Sequence, residues 1–238
     1  ERDAASGFPC INSTGLKGAI KQKFADTADL KTVFGSDTQK NNSTKPKTGK
    51  KEENTNQGTC MFLSAYLLAM PVRSDKTPYF LATSPALINS FLSLYEDLNS
   101  KQYKDHGTLS KIKEYEFKAT EQKDACLGLL EKKVAGIIAT DDLFLKAIQS
   151  LLNTKLPVAI VSDEYMLELT DDLNLPVIAR NALEDGQSKN LWYEQVLPRE
   201  SVMFFPVIWD DVSRLTTYSL TNGILQVGGN ASVGYGFT

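Results

Sequence analysis

Histidine is almost missing from this chain: of 238 residues, one is histidine, His106. A metal site built on several histidines and a histidine acid–base pair are therefore excluded. His106 lies in the polar stretch 101–107, where a solvated loop position is the expected setting. Cysteine is scarce too. Cys10, Cys60 and Cys126 stand too far apart for a paired framework or a metal-type spacing, which fits a reducing cytosol. There is no apolar run long enough to cross a bilayer, and the N-terminus lacks the cationic start and apolar centre of a signal peptide. A soluble, cytoplasmic protein with no membrane partner is expected. The chain starts at Glu1 rather than methionine, which reads as a processed or incomplete product.

What is present is enough apolar residue, 42%, for one large core, so residues 1–238 are expected to form a single domain with insertions. A net charge of −3 argues at first against a nucleic-acid binder, because neutralising phosphates needs lysine and arginine. The average hides an asymmetry. Residues 1–51 hold ten Lys/Arg against five Asp/Glu, and the rest hold 16 against 24.

Ser13 or Thr14 is placed to cap a helix from about Gly15 to Ala25, with Leu16, Ile20 and Phe24 on the buried side and Lys17 and Lys21 on another. Residues 36–58 contain no large apolar side chain and predict a mobile loop. Its lysines from Lys45 to Lys51 read as a solvated charge run. Residues 60–72 and 79–83 predict two strands of a hairpin. Ser84-Pro85 opens a helix with Leu87, Phe91, Leu94 and Leu98 facing inward. Residues 99–175 read as a largely helical insertion, with helices from Asp141-Asp142 and Asp163 around a buried strand at 158–161. Residues 177–196 predict a projecting hairpin about the turn signal Asp185-Gly186. Then follow a strand over 201–209, a helix from Asp210 to about Leu220 and a strand at 224–227. The order lacks regular βαβ alternation, so an α+β fold with a largely antiparallel sheet is expected.

Two segments carry the candidate chemistry. From Gly228 to Gly236 the chain has four glycines within nine residues, enough to let backbone N–H groups approach a ligand closely. A plain hairpin would use the same residues. Near the N-terminus, Ser13, Lys17 and Gly18 place a lysine and a glycine at a helix start, a phosphate-binding arrangement. The acid pairs Asp141-Asp142, Asp171-Asp172 and Asp210-Asp211 suit helix starts better than metal sites, since adjacent residues point apart on a strand.

Gly7-Phe8-Pro9 with Ile11, Ser13 with Leu16-Lys17-Gly18, Phe34-Gly35, Pro71-Val72-Arg73-Ser74, Val161-Ser162-Asp163, Leu191-Trp192-Tyr193-Glu194 with Leu197-Pro198, and Gly228-Gly229-Asn230 with Val233-Gly234 and Gly236-Phe237 follow one another across nearly the whole chain. In that succession the sequence resembles the RAMP superfamily of CRISPR effector proteins, and more narrowly the backbone subunit of the Cmr (type III-B) complex. The resemblance implies an RNA-recognition-motif-like, ferredoxin-like core in which the hairpin over 177–196 is a thumb. It implies as partners a CRISPR RNA, the complementary target RNA, further copies of the chain and other Cmr-type subunits. It also implies cleavage of the paired target by a divalent-metal-dependent reaction, Mg2+ being the expected ion, with a ribose 2′-hydroxyl as nucleophile. The catalytic aspartate of the pattern, and the first core strand, would fall before Glu1, and the strand after Thr238 looks cut short. Asp3 is the nearest carboxylate, in a charged doublet with Arg2, and is not assigned as catalyst.

The RNA-binding set expected on these grounds is Ser13, Lys17, Gly18, Lys21, Arg73, Arg180, Gly228, Gly229, Asn230, Gly234, Tyr235 and Gly236, with Tyr235 offering a ring for stacking. Each has a plainer reading as helix cap, solvated cation or turn residue. Glu194 is the candidate catalytic carboxylate, because apolar Trp192 and Tyr193 beside it would raise its pKa or hold it toward a metal or water; an exposed strand glutamate beside a core tryptophan is its plainer reading. A non-catalytic RNA ruler is the alternative function, separated from the nuclease by the residue in the upstream loop. A nucleotide-cofactor enzyme is disfavoured, since no helix follows the glycines.

Overall fold

A computed structural model describes residues 1–36, 57–128, 132–209 and 224–238. Most of the loop expected at 36–58, its lysine cluster, and the helix with Asp210-Asp211 lie outside the described residues. The chain divides into two compact units, where the sequence reading takes residues 1–238 as one domain. One comprises Arg2–Cys10 with Tyr66–Phe204, the other Glu1, Ile11–Ala65 and Phe205–Thr238.

The larger unit is organised around a seven-stranded mixed sheet. Its path runs β1 (Cys10–Ile11), β3 (Ala65–Arg73), β4 (Tyr79–Thr83), β9 (Val158–Ile160), β5 (Lys118–Ala119) and β8 (Gly136–Ile137), with β12 (Val202–Phe204) on β3. β3 and β4 form the expected antiparallel hairpin, Met70 opposite Ala82 and Arg73 opposite Tyr79. β12–β3 and β5–β9 are antiparallel too, whereas β4 and β9 run parallel, as do β5 and β8, so the sheet is mixed, with antiparallel pairs the majority among these. The long connection from β4 to β9 carries the chain back to its starting end, which a tight turn cannot do.

Alternate residues of the central strands enter opposite cores. Phe80, Ala82, Ala159 and Val161 pack with Tyr165, Met166 and Leu169 of α6 (Asp163–Thr170). Leu81, Val158 and Ile160 pack with Ile88 and Leu92 of α3 (Pro85–Asn99) and with Phe144, Leu145 and Ile148 of α5 (Leu143–Leu152). Covered on both faces, these strands read in sequence as unbroken apolar runs.

α3 buries Pro85, Leu87, Ile88 and Leu92, whereas Leu98, expected inside, is 40% exposed. A 15-residue helix spans roughly 22 Å and a five-residue strand roughly 17 Å, so the last turn overhangs β4. Ser84 precedes the helix without capping it. The capping contact comes from α6, where Asp163 Oδ1 accepts the Ala86 N–H at 2.6 Å. Asp142 caps α5, accepting the Phe144 N–H at 2.8 Å, and Asp171 ends α6 and accepts the Leu173 N–H.

The stretch 99–175 is not a helical insertion. Beside α4 (His106–Leu109), α5, α6 and a 3-10 turn at Ile112–Tyr115 it holds β5, β6 (Cys126–Leu127), β7 (Lys132–Lys133), β8 and β9. Three of these complete the main sheet. Two-residue strands carry no readable periodicity.

In the smaller unit, α1 (Ser13–Lys23) buries Leu16 and Ile20, and α2 (Leu30–Phe34) buries Val33 and Phe34. Phe34 stacks on Phe62 of β2 (Cys60–Phe62), which pairs with β13 (Val207–Trp209). Residues 201–209 thus form two strands instead of one. Pro206 lies at the break, without an N–H to continue a ladder, and its carbonyl accepts the Leu63 N–H at 3.1 Å.

Candidate functional site

The expected clamp begins one residue earlier than the sequence predicts. Asn12 is the N-cap residue, with no side-chain cap bond, and Ser13 is already helical. Neither Ser13 nor Thr14 caps: the Ser13 N–H donates to Ser64 Oγ at 3.2 Å. Lys17 therefore sits one turn inside the hydrogen-bond ladder, not in the first turn. The first turn carries no acidic residue of its own, but the Asn12 N–H donates to the Glu1 carboxylate at 3.0 Å. That bond holds the Glu1 carboxyl below its ordinary range, as expected for an anion at a helix start.

Along α1, Thr14, Gly15, Gly18 and Gln22 form an exposed stripe, with half-buried Lys17 and Lys21 beside it. A Cβ built at Gly15 or Gly18 would meet nothing within 4 Å. The stripe is thus smooth helix backbone, open to solvent and flanked by two ammonium groups four residues apart.

The glycine segment of the same unit closes on itself. Leu225 and Thr238 exchange N–H···O bonds at 3.0 and 2.9 Å, and the Val227 N–H donates to the Gly236 carbonyl at 2.9 Å. Between them, Ala231–Val233 makes a 3-10 turn flanked by Asn230 and Gly234, both left-handed. The Gln226 amide fills the middle, donating to the carbonyls of Gly228 at 2.9 Å, Gly229 at 3.4 Å and Tyr235 at 3.3 Å. Gly236 is required by the closure: its φ is +70° and a Cβ there would lie 1.9 Å from the Val227 carbonyl oxygen. Gly228, Gly229 and Gly234 face open space, and Tyr235 is half-buried. Helix and loop are tied by Lys23, whose Nζ donates to the Ile224 carbonyl at 3.3 Å. Lys23 and Gln226 are not among the candidates that the sequence offers. Nothing in their residue types marks them; their roles appear only once the terminal hairpin closes.

The other candidates lie in the larger unit. β10 (Val177–Glu184) and β11 (Gln187–Gln195) form the expected hairpin, turning through Asp185 and Gly186, both at positive φ. Arg180 lies opposite Trp192 in the ladder, with its guanidinium 5.5 Å from the indole. Its Nη1 reaches Glu194 Oε1 and Oε2 at 3.2 and 3.1 Å, and Trp192 Nε1 donates to Glu194 Oε1 at 3.0 Å. The indole bond, then the guanidinium, hold the Glu194 carboxyl below the ordinary glutamate range. The expected rise is reversed, because Trp192 presents its N–H rather than its apolar face. A carboxylate so paired is a poor base and a poor metal ligand. Arg73 ends β3, exposed.

Among the described residues no three His, Cys, Asp or Glu side chains cluster to hold a metal ion. Asp3 accepts the Ser6 N–H and hydroxyl at 2.8 and 2.7 Å, bonds that lower its pKa. Asp172 is engaged by Arg2. No helix among the described residues is long and apolar enough to cross a membrane.

The RAMP superfamily model matches residues 1–238. The CRISPR system Cmr endoribonuclease Cmr4 of Pyrococcus furiosus is 26% identical over 267 aligned positions, spanning 100% of this chain and 84% of that protein. A chain in the cryo-EM structure of the type III-B Cmr-beta complex bound to cognate target RNA is similar over 100% of this chain and 85% of its own length, with a TM-score of 0.71 at 22% identity. The crystal structure of oligomeric Cmr4 from Pyrococcus furiosus is similar over 100% and 89%, with a TM-score of 0.68 at 21% identity. These structural likenesses concern the fold.

Proposed function

Since the chain belongs to the RAMP superfamily, we propose that it is a CRISPR RNA-binding backbone subunit of a type III-B effector, taking part in guided cleavage of target RNA. The observation that carries the binding half is the pairing, in one compact unit, of a lysine-flanked, glycine-smoothed helix face with an exposed glycine turn. Such a surface meets phosphates through ammonium groups and close backbone approach, without reading bases. The relatives named above supply the context of guide, target and repeated subunits. The hairpin of β10 and β11 is taken as the thumb, braced by its Arg180–Glu194 pair.

Cleavage through the RNA's own 2′-hydroxyl asks a protein mainly for in-line geometry and charge stabilisation. No three His, Cys, Asp or Glu side chains cluster among the described residues and Glu194 is committed to Arg180, so no chemical step is assigned to them. Their part is to hold the guide and fix the target's path. The ruler reading is favoured by the same observation to the extent that this chain acts alone.

The test uses the full chain and a labelled CRISPR RNA, beside Lys17→Ala/Lys21→Ala. Guide binding weakened at least tenfold in the variant is the expected result, and equal binding refutes the site. Complementary RNA and Mg2+ are then added. Regularly spaced cuts support a nuclease, and an intact target supports a ruler.

A further inference from the structure

A second cationic surface lies in the larger unit, away from every residue of the α1 and glycine-turn site in sequence. Three chain segments are knitted together there. The Gly128 N–H donates to the Arg73 carbonyl at 2.8 Å and the Asp75 N–H to the Cys126 carbonyl at 3.4 Å. Ser74 bridges Leu127, and β6 pairs with β7, Cys126 opposite Lys133. Lys76 Nζ donates to the Lys123 carbonyl at 2.9 Å. The resulting ribbon brings Arg73, Lys76, Lys123 and Lys133 together, all exposed.

The four cations share the ribbon with Asp75, Asp124 and Glu121 without pairing to them. None of the four cations forms an ion pair among the described residues. Asp75 is the carboxylate nearest in the chain, and it is turned to the backbone, accepting the Cys126 N–H at 2.7 Å. Asp124 and Glu121 are the other acids of the described ribbon and its approach, and Glu131 lies outside the described residues. Lys132, opposite Leu127 in the β6–β7 pair, is set over the Tyr165 ring and adds one more cation beside the ribbon. Arg73 also stands directly opposite half-buried Tyr79 in the β3–β4 ladder, so the guanidinium and the ring leave the same face of the sheet. Unpaired lysines around such a pair of planar groups suit a single-stranded nucleic acid, whose phosphates meet the ammonium groups while a base stacks. An acidic protein surface would be matched by charge but would leave the Arg73–Tyr79 pair without a use.

We propose that the ribbon of Arg73, Lys76, Lys123 and Lys133 is a second RNA-backbone contact, separate from the α1 and glycine-turn site. This rests on the RNA-binding reading above. Each phosphate neutralised on a single strand contributes roughly 0.7 to the slope of log affinity against log salt. Removing three such contacts should lower the slope by about 2 and the affinity at 0.1 M salt by roughly a hundred-fold.

The experiment measures binding of a fluorescein-labelled single-stranded RNA to the full chain across a salt series. Lys76→Gln/Lys123→Gln/Lys133→Gln is compared with the charge-matched control Lys111→Gln/Lys113→Gln/Lys155→Gln, whose lysines are also exposed, and circular dichroism verifies folding of both. Support is a lower slope and weaker binding in the first variant alone. Equal losses in the two variants mean that net charge matters and the ribbon does not, which overturns the proposal. So does wild-type RNA affinity in the ribbon variant, and if that variant instead loses association with acidic proteins the surface belongs to them. Wild-type protein that binds no RNA overturns the RNA-binding reading itself, an outcome distinct from a ribbon variant that binds like wild type.

Discussion

Alanine substitutions at three glycines of the terminal turn separate two reasons for glycine that the sequence leaves superposed: closing the loop and admitting a ligand. Gly229 has neither a left-handed φ nor a neighbour within 4 Å of a built Cβ. Gly229→Ala should change stability by less than about 1 kcal/mol, with a gain expected from a stiffer unfolded chain. Gly234 has a φ of +84° in open space, so Gly234→Ala costs about 1–2 kcal/mol of backbone strain. Gly236 adds to its φ of +70° a Cβ position 1.9 Å from the Val227 carbonyl oxygen. That overlap is relieved only by parting the strands that Val227 N–H···O Gly236 and the two Leu225–Thr238 bonds hold together. At about 1 kcal/mol per bond on top of the strain, the closure loses at least ~3 kcal/mol, and its open form gains roughly a hundred-fold in population. Amide hydrogen exchange at Leu225, Val227 and Thr238 reads this directly. Protection should collapse in Gly236→Ala, fall partially in Gly234→Ala and persist in Gly229→Ala. RNA affinity should follow another order, falling in Gly229→Ala although its protection is intact. Equal protection at the three amides in Gly236→Ala and Gly229→Ala would refute the closure argument, and unchanged RNA affinity in Gly229→Ala would remove the turn from the binding surface.

Glu194 gives a pH prediction with a definite sign. Its folded pKa is depressed by Trp192 and Arg180, so the stabilisation is present above the unfolded glutamate value and is lost as pH falls through the lower folded one. Trp192 fluorescence should titrate with a midpoint below the ordinary glutamate range, and a midpoint above it would contradict the pairing. Asp163 caps α3 from another helix; Asp163→Ala should cost about 1–2 kcal/mol in denaturant unfolding, against less than about 0.5 kcal/mol for exposed Leu98→Ala.

The parts of the fold legible in the sequence are those whose signal is local. The β10–β11 hairpin is one: Asp185-Gly186 supplies two positive-φ residues in a row, and that chemistry needs no tertiary context. The Ser84-Pro85 helix start and the β3–β4 pairing belong with it. The parts that failed are settled by partners distant in the chain. Asp163, 77 residues away, caps α3 in place of Ser84, and the two-residue strands β5 and β8 owe their place to β9. Glu194 fails for a subtler reason. Hydrophobicity alone makes Trp192 an apolar neighbour, but an indole whose N–H reaches a carboxylate is a hydrogen-bond donor first. The candidate lysines were legible as a charge asymmetry; which of them touch protein was not.

That last distinction has a consequence for how the chain would hold RNA. Arg2 is spent on the protein, donating to the carbonyls of Gly7 at 2.8 Å and Thr170 at 2.6 Å and to the Asp172 carboxylate. Arg180 is likewise engaged by Glu194 and Trp192. Rigid guanidinium forks hold fixed internal geometry well, while a lysine is a point charge on a flexible stem. With Arg2 and Arg180 so engaged, the proposed RNA contacts fall to Arg73, Lys76, Lys123 and Lys133, with Lys17 on α1. Contacts of that kind tolerate any base sequence and weaken steeply with salt. Raising salt should therefore release RNA well before it unfolds the hairpin, because the Arg180–Glu194 pair, at side-chain exposures of 21% and 27%, is screened less than exposed lysines are. A protein that loses both together would have its RNA contacts on the hairpin's own ion pair, and the assignment of Arg2 and Arg180 to structure would fail.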